Sequence, residues 1–318
     1  MPRKNQNKLR LSDAIEGYML AAGLVLAKTT VRNYAGTFRI FREFLDDDPL
    51  IEDIGPRLIE KFLKSLGDVS ESTIRTRHIH LAALWAWLAK NEYTEANILH
   101  SVTAPSPKKA DIKPYTELDI KRMLSVLDKS KKYSRPGKRT SDHSLPNGLR
   151  NRAIILLMLD TGVRASELCH LEIRHVDIQN RRINVDNGKG YKDRSLPFSA
   201  RTGQTLWRYL TTRKDAKLNA PLFETDEGNA FDRHVLRRLL SRIGNRAGVH
   251  GVGCHRFRHT FAVTFLRNGI ANGGPNPWAL QEMLGHTDMQ TVKIYLRIAQ
   301  ADVDTAHLTA SPVENWKL

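Results

Sequence analysis

Only two cysteines, Cys169 and Cys254, occur among 318 residues, and their spacing suits neither a disulfide framework nor a metal site. They are expected to be free thiols in a reducing compartment. No apolar run approaches the roughly 18 residues that cross a bilayer, and the opening MPRKNQNKLRLSD is basic but lacks the apolar stretch of a secretory signal. The expectation is a cytoplasmic protein with no membrane partner. Acidic residues are in deficit, 34 against 50 Lys+Arg, which leaves a formal charge of +16. The excess is spread along the chain, so the expected partner is a polyanion rather than a single acidic ligand. The second half also lacks a Gly-rich phosphate loop and an Asp/Glu cluster fit for magnesium. Phosphate chemistry there would be metal-free, with no cofactor.

What is present reads as helix. From Leu11 to about Val102, the segments 29-TTVRNYAGTFRIFREFLDDDP, 57-RLIEKFLKSLG and 71-ESTIRTRHIHLAALWAWLAKNEY place apolar residues at three- and four-residue spacing. Thr29 and Ser70 read as N-caps and Gly67 as a C-cap. Residues 1–103 are thus expected to form a helical domain. The stretch 104-APSPKKADIKP-114 has three prolines and three lysines and no periodicity. Residues 104–113 therefore read as a linker and 114–318 as a second domain. Within that domain 130–148 reads as a polar loop insertion. The run 149-LRNRAIILLMLDTGVRASELCHLEI reads as two helices broken at Thr161 and Gly162. In 181-RRINVDNGKGYKDRSLPF-198, Ile183 and Val185 precede an Asn-Gly, and Leu196 and Phe198 follow it, which is the period-two pattern of a hairpin or small antiparallel sheet. Beyond about Arg201 the pattern is helical again.

Some polar residues stand where the helical pattern calls for core. In 255-HRFRHTFAVTFLRNG the apolar face runs through Phe261, Ala262, Phe265 and Leu266, and one turn back it meets Arg258, with His255 a turn earlier. A buried guanidinium needs acceptors or an anion. No carboxylate occurs between His250 and Glu282, so a distant acid or a bound anion is expected to meet it. Arg164 stands where the helix of TGVRASEL begins, and Glu167 at i+3 could form a surface pair with it. His255 and His259 have the i, i+4 spacing of zinc ligands, but Arg256 stands where a zinc protease carries Glu, so no metal is expected. Cys254 and His255 are sequence neighbours and do not face each other as a dyad would. In 284-LGHTDMQTVKIYL-296, Gly285 ends one helix and 287-TDMQ has the form of a capping box for the next, which places His286 in a tight corner. Met289, Val292, Tyr295, Leu296 and Ala299 share one face, so Tyr295 alone would read as a core tyrosine.

Taken together and in order, TGVRASEL, NGKGYKDRSLP, HRFRHTFA and LGHTDMQTVKIY resemble the catalytic domain of the tyrosine recombinases, the phage-integrase and Xer family. The resemblance spans about residues 114 to 305. The preceding domain is similar to that family's core-binding domain in length and helix pattern only. The fold implied is mainly α, a helical N-terminal core-binding domain plus a mostly α catalytic domain with a small antiparallel β-sheet. The partners implied are double-stranded DNA and three further copies of the chain, a homotetramer on two recombination sites, with the tail from Gln300 to Leu318 donated to a neighbour.

By the same resemblance Arg164 and Arg258 clamp the scissile phosphate and Lys189, with Lys192 in reserve, protonates the leaving 5′ oxygen. His255 is the better placed to take the proton of Tyr295 and His286 to bond the phosphate, with either able to share the work, and Tyr295 is the nucleophile that forms a covalent 3′-phosphotyrosine. The roles are physically coherent. Two guanidiniums can hold the charge developing on a phosphodiester, and a phenol with pKa about 10 is only about one part in a thousand ionised at neutral pH, so it needs a base or a positive pocket. The rival readings are a type IB topoisomerase, which shares the chemistry but acts alone, and a non-catalytic DNA-binding relative. The connection 269–285 and the insertion 130–148 are longer than that family's usual pattern.

Overall fold

The computed structural model describes residues 9–106, 113–128, 147–186, 193–213, 215–271, 276–285 and 289–299. Lys189, Lys192, His286, the capping box from Thr287, nearly all of the polar insertion and the tail from Gln300 lie outside the described residues. Two compact units divide the chain, Met1–Ala110 and Asp111–Leu318.

The first unit is built from four helices, α1 (Leu11–Val25), α2 (Lys28–Leu45), α3 (Pro56–Ser65) and α4 (Glu71–Lys90). Their apolar stripes meet in a core of Phe38, Phe41, Phe62, Leu81, Leu84 and Trp85, all essentially inaccessible. A 2.7 Å bond between Thr37 Oγ1 and His80 Nδ1 ties α2 to α4. Ser70 caps α4 through its side chain, as expected. Thr29 does not cap α2. The N-cap is Ala27, two residues earlier, with Val31 N–H already donating to Ala27 O at 3.1 Å, so Thr29 lies inside the first turn. Gly67 falls one residue beyond the C-cap of α3, which is Leu66.

The second unit opens with α5 (Glu117–Ser125), whose N-cap Thr116 and Asp119 form a reciprocal capping box. Then follow α6 (Gly148–Thr161), α7 (Ala165–His170), β1 (Val176–Asp177), β2 (Arg182–Val185), β3 (Arg194–Pro197), α8 (Ala200–Thr211), α9 (Arg233–Ala247), α10 (Cys254–Ala271), α11 (Pro277–Leu284) and α12 (Met289–Ala299). The sheet is antiparallel in the order β1-β2-β3. Ile183 pairs with Leu196 and Val185 with Arg194, so the buried side chains alternate as the sequence predicts. The two-residue β1 is too short for periodicity to reveal.

The second unit has two apolar cores. The larger gathers α5 to α9, the sheet and Phe257. The smaller joins α10, α11 and α12 through Phe261, Ala262, Leu266, Leu280, Leu284, Val292 and Tyr295. Arg258 lies on α10 between Phe257 of the first and Phe261 of the second. The break between α6 and α7 is a left-handed turn at Gly162, φ 62°, packed so closely that a Cβ there would come within 2.5 Å of the Phe261 ring. Gly162→Ala combines an unfavourable φ with overpacking and is expected to destabilise the chain by about 2–4 kcal/mol, read as a lower urea midpoint with unchanged slope.

Candidate active site

Four segments bring the site together. The start of α10 is fixed by Tyr115, which precedes α5: its backbone N–H donates to Thr260 Oγ1 at 2.8 Å, and its hydroxyl accepts from Gly253 N–H at 3.0 Å. On the face of α10 turned toward α6 and α12, His255, Arg258, His259 and Ala262 follow one another at helical spacing.

Arg258 is 1% exposed, one of the largest fully buried side chains. Main-chain oxygens meet it: Nη1 donates to Gly162 O at 2.8 Å and Nη2 to Leu284 O at 2.6 Å. Both acceptors sit at helix C-termini, where unpaired carbonyls carry partial negative charge. The sequence calls for a distant acid or a bound anion; the two helix ends are acceptors it does not show, and Glu167 acts on Arg258 as well. Burial and the neighbouring Arg164 pull the Arg258 pKa down to about 10, still charged at neutral pH.

Arg164 is the N-cap residue of α7. Its Nη2 donates to Gly285 O at 2.9 Å, and its Nη1 donates to Glu167 at 2.8 Å. The pair with Glu167 is not on the surface. The Glu167 side chain is only 8% exposed, and it accepts from the Arg164 backbone N–H at 2.8 Å and from Arg194 at 2.7 and 3.1 Å. Arg194, at the start of β3, is equally buried and also donates from Nε to Met283 O at 2.9 Å. Glu167 therefore bridges two arginines within the site. Arg194 was missed in the sequence, although it shares the inward parity of Leu196 and Phe198 and so places a cation on the buried side of a strand.

Tyr295 lies on the buried stripe of α12, 1% exposed. Its hydroxyl is 2.9 Å from His259 Nδ1. Burial raises the phenol pKa and Arg258 partly offsets this. His255, expected to be the tyrosine's partner, is an exposed residue one turn earlier, its ring centroid 4.4 Å from that of His259. Desolvation, Arg258 and Arg164 hold His255 below the ordinary histidine range. Burial, His255 and Arg258 push His259 down to about 4. Both imidazoles are therefore neutral at pH 7. The structure thus gathers Arg164, His255, Arg258 and Tyr295, and adds Glu167, Arg194 and His259. A cleft of about 670 Å³ opens beside Arg164 and Glu167, bounded by His170, His175 and Asp186.

Burial opposes the charge on Glu167, but the Arg194, Arg164 backbone and Arg164 side-chain hydrogen bonds outweigh it and lower the pKa from 4.5 to about 2. A depressed folded-state pKa contributes stability that is complete above the unfolded value of 4.5 and fades as the pH falls toward 2. The shift corresponds to a contribution on the order of 3 kcal/mol at neutral pH. Glu167→Gln is expected to lower unfolding free energy by about that amount at pH 7 and by much less at pH 2.5, measured by urea titration at both pH values.

Comparison with known proteins bears on the family and the fold. The phage integrase family pattern matches residues 119–302, and the pattern of the phage integrase N-terminal SAM-like domain matches residues 15–92. A curated relative, tyrosine recombinase XerD of Ralstonia nicotianae, is 36% identical over 176 residues, 54% of this chain and 56% of that protein. Tyrosine recombinase XerA of Saccharolobus solfataricus is 29% identical over 286 residues, 88% of this chain and 86% of that protein. Among solved structures, the XerH site-specific recombinase bound to palindromic difH substrate in a post-cleavage complex superposes with a TM-score of 0.69 at 21% identity, over 93% of this chain and 84% of that one. With its larger unit matched almost from end to end, the chain belongs to the phage integrase family, the tyrosine recombinases.

Proposed function

We propose that this chain is a site-specific DNA recombinase that cuts and rejoins strands through a 3′-phosphotyrosine at Tyr295, working as a homotetramer on two duplex sites. The observation that carries the reading is the convergence of one phenol, two neutral imidazoles and a surplus of guanidinium charge. Arg164 and Arg194 act on Arg258, and Glu167 bonds Arg164 and Arg194, so three guanidiniums gather around the phenol's neighbour on α10. The transition state of in-line attack on a phosphodiester carries about two negative charges. Family membership and the XerA and XerD relatives support recombination over a topoisomerase or a DNA-binding relative.

In this mechanism the phosphate enters beside the exposed His255 and the half-exposed Arg164, and Arg258 holds it from the buried side. The phenolate oxygen of Tyr295 attacks phosphorus and the bond to the 5′ oxygen breaks, with Lys189 supplying the proton and Lys192 held in reserve. His286 donates to a non-bridging oxygen. The phosphotyrosyl bond conserves the energy of the broken linkage, so the incoming 5′ hydroxyl reverses the chemistry without a nucleotide. The first unit serves as the core-binding domain and adds sequence-independent phosphate contacts, and residues from Gln300 onward dock on a neighbouring copy. Action on DNA with free thiols fits a cytoplasmic location.

On a nicked suicide duplex, whose short released strand diffuses away, the wild-type chain is expected to accumulate as a covalent adduct at the 3′ phosphate, with or without EDTA. Tyr295→Phe should bind and form none, and an adduct in that variant would reject the nucleophile. Arg164→Ala and Arg258→Ala should each lose at least about a hundredfold in adduct rate. Binding should weaken by orders of magnitude between about 50 and 200 mM salt. Sedimentation on the duplex should show assemblies of four, whereas a topoisomerase would stay monomeric and relax supercoils without site preference.

A further inference from the structure

We infer that His259, not His255, takes the proton of the tyrosine nucleophile. The inference rests on the recombinase reading above and adds a catalytic residue to it. Its ground is geometric: His259 Nδ1 lies 2.9 Å from the Tyr295 hydroxyl, within the reach required of a general base. His255 is exposed at the mouth of the same helix face, while His259 is half-buried behind it. The two imidazoles therefore stand in series, one toward the solvent from which DNA arrives and one against the phenol, their ring centroids 4.4 Å apart. For Nδ1 to accept from the phenol, His259 must carry its own proton on Nε2.

The step balances without an outside reactant. The phenol O–H bond breaks and its proton moves to Nδ1, giving an imidazolium. The oxygen's electron pair forms the bond to phosphorus, and the bond from phosphorus to the 5′ oxygen breaks with its pair and takes a proton from the general acid. On rejoining, Nδ1 returns its proton to the phenolate as tyrosine leaves. Before DNA binds, burial, the neighbouring His255 and the charge of Arg258 oppose an imidazolium at His259, as burial, Arg258 and Arg164 do at His255, so the pair rests as a neutral hydrogen bond with tyrosine protonated. A bound phosphate monoanion between those arginines offsets their charge and raises the basicity of His259 where it is needed. The nucleophile is thus activated by the substrate that it attacks, which protects the free enzyme from wasteful reaction.

The test uses the full chain and a nicked duplex bearing the sequence that the wild-type chain enriches from a random pool. His259→Ala is expected to slow adduct formation by at least about a hundredfold with binding unchanged. His259→Asn puts an acceptor near the Nδ1 position but cannot take a proton, so it should fold like wild type and remain slow. Replacing Tyr295 with 3,5-difluorotyrosine, a far more acidic phenol, should restore most of the rate to His259→Ala at neutral pH. His255→Ala should gain no such rescue. Three results overturn the inference: a wild-type rate in His259→Asn, no rescue by the fluorinated phenol, or rescue confined to His255→Ala. Absence of any wild-type adduct at Tyr295 would instead reject the recombinase reading, and this inference with it.

Discussion

The site depends on the C-terminal end of α11. The last carbonyls of a helix have no partner within it, and here three in succession are used: Met283 O accepts from Arg194, Leu284 O from Arg258 and Gly285 O from Arg164. Three cations from three separate segments, a strand, a helix interior and a helix N-cap, are thereby referred to one point of backbone. Gly285 makes the arrangement possible in two ways. Its φ of 62° ends the helix in the left-handed region, and a Cβ there would come within 3.2–3.4 Å of the Arg194 guanidinium. No side chain could replace these acceptors, because the positions of main-chain oxygens follow from the helix and not from the residue type.

Acceptors of this kind have a consequence for charge. A carboxylate opposite Arg258 would stabilise it by neutralising it and would leave little for a phosphate. Carbonyls solvate the guanidinium yet keep its net charge, so a buried cation can be tolerated and still act on an anion. Glu167 is the exception that holds the frame. Its carboxylate stays ionised well below neutral pH, and it spends that charge on Arg194 and Arg164 together. The pairing fixes Arg164 in place at its α7 N-cap while the set as a whole remains positive.

Much of this could be read from the sequence, for identifiable reasons. The helices of both units follow the apolar period, the β2–β3 register follows the alternation of Ile183, Val185 and Leu196, and Arg258 stands out because it interrupts an apolar face. What could not be read was tertiary. Periodicity places Arg258 inside but cannot say that Gly162 O and Leu284 O, 96 and 26 residues away, will meet it. Glu167 reads as a surface partner because an i+3 ion pair is the local default, and its buried pairing with Arg194, 27 residues on, is not visible at that range. His259 was weighed only as half of a zinc pair. Its position beside Arg258 on the inner face of α10 was legible, but its partner Tyr295 lies 36 residues away on another helix. Thr29 failed as a cap because hydrogen bonding from Ala27 had already begun the helix.

The division of the larger unit into two cores then bears on how chemistry is organised. Arg164, Glu167 and Arg194 are anchored to elements of the large core, α7 and β3, whereas Tyr295 packs with α10, α11 and α12 in the small one. The face of α10 carrying Arg258 and His259 stands where they meet. A side chain held by a small core is held by fewer apolar contacts than one of the large core, so the position of Tyr295, the proposed nucleophile, is the cheaper of the two to adjust. Arg258 bonds one helix end from each side, Gly162 O of α6 and Leu284 O of α11, so a shift of the small core changes the geometry of Tyr295 and of one Arg258 bond together. Arg164 and Arg194 reach the same helix end from α7 and β3, so the proposed clamp and the proposed nucleophile are mechanically coupled through three guanidiniums.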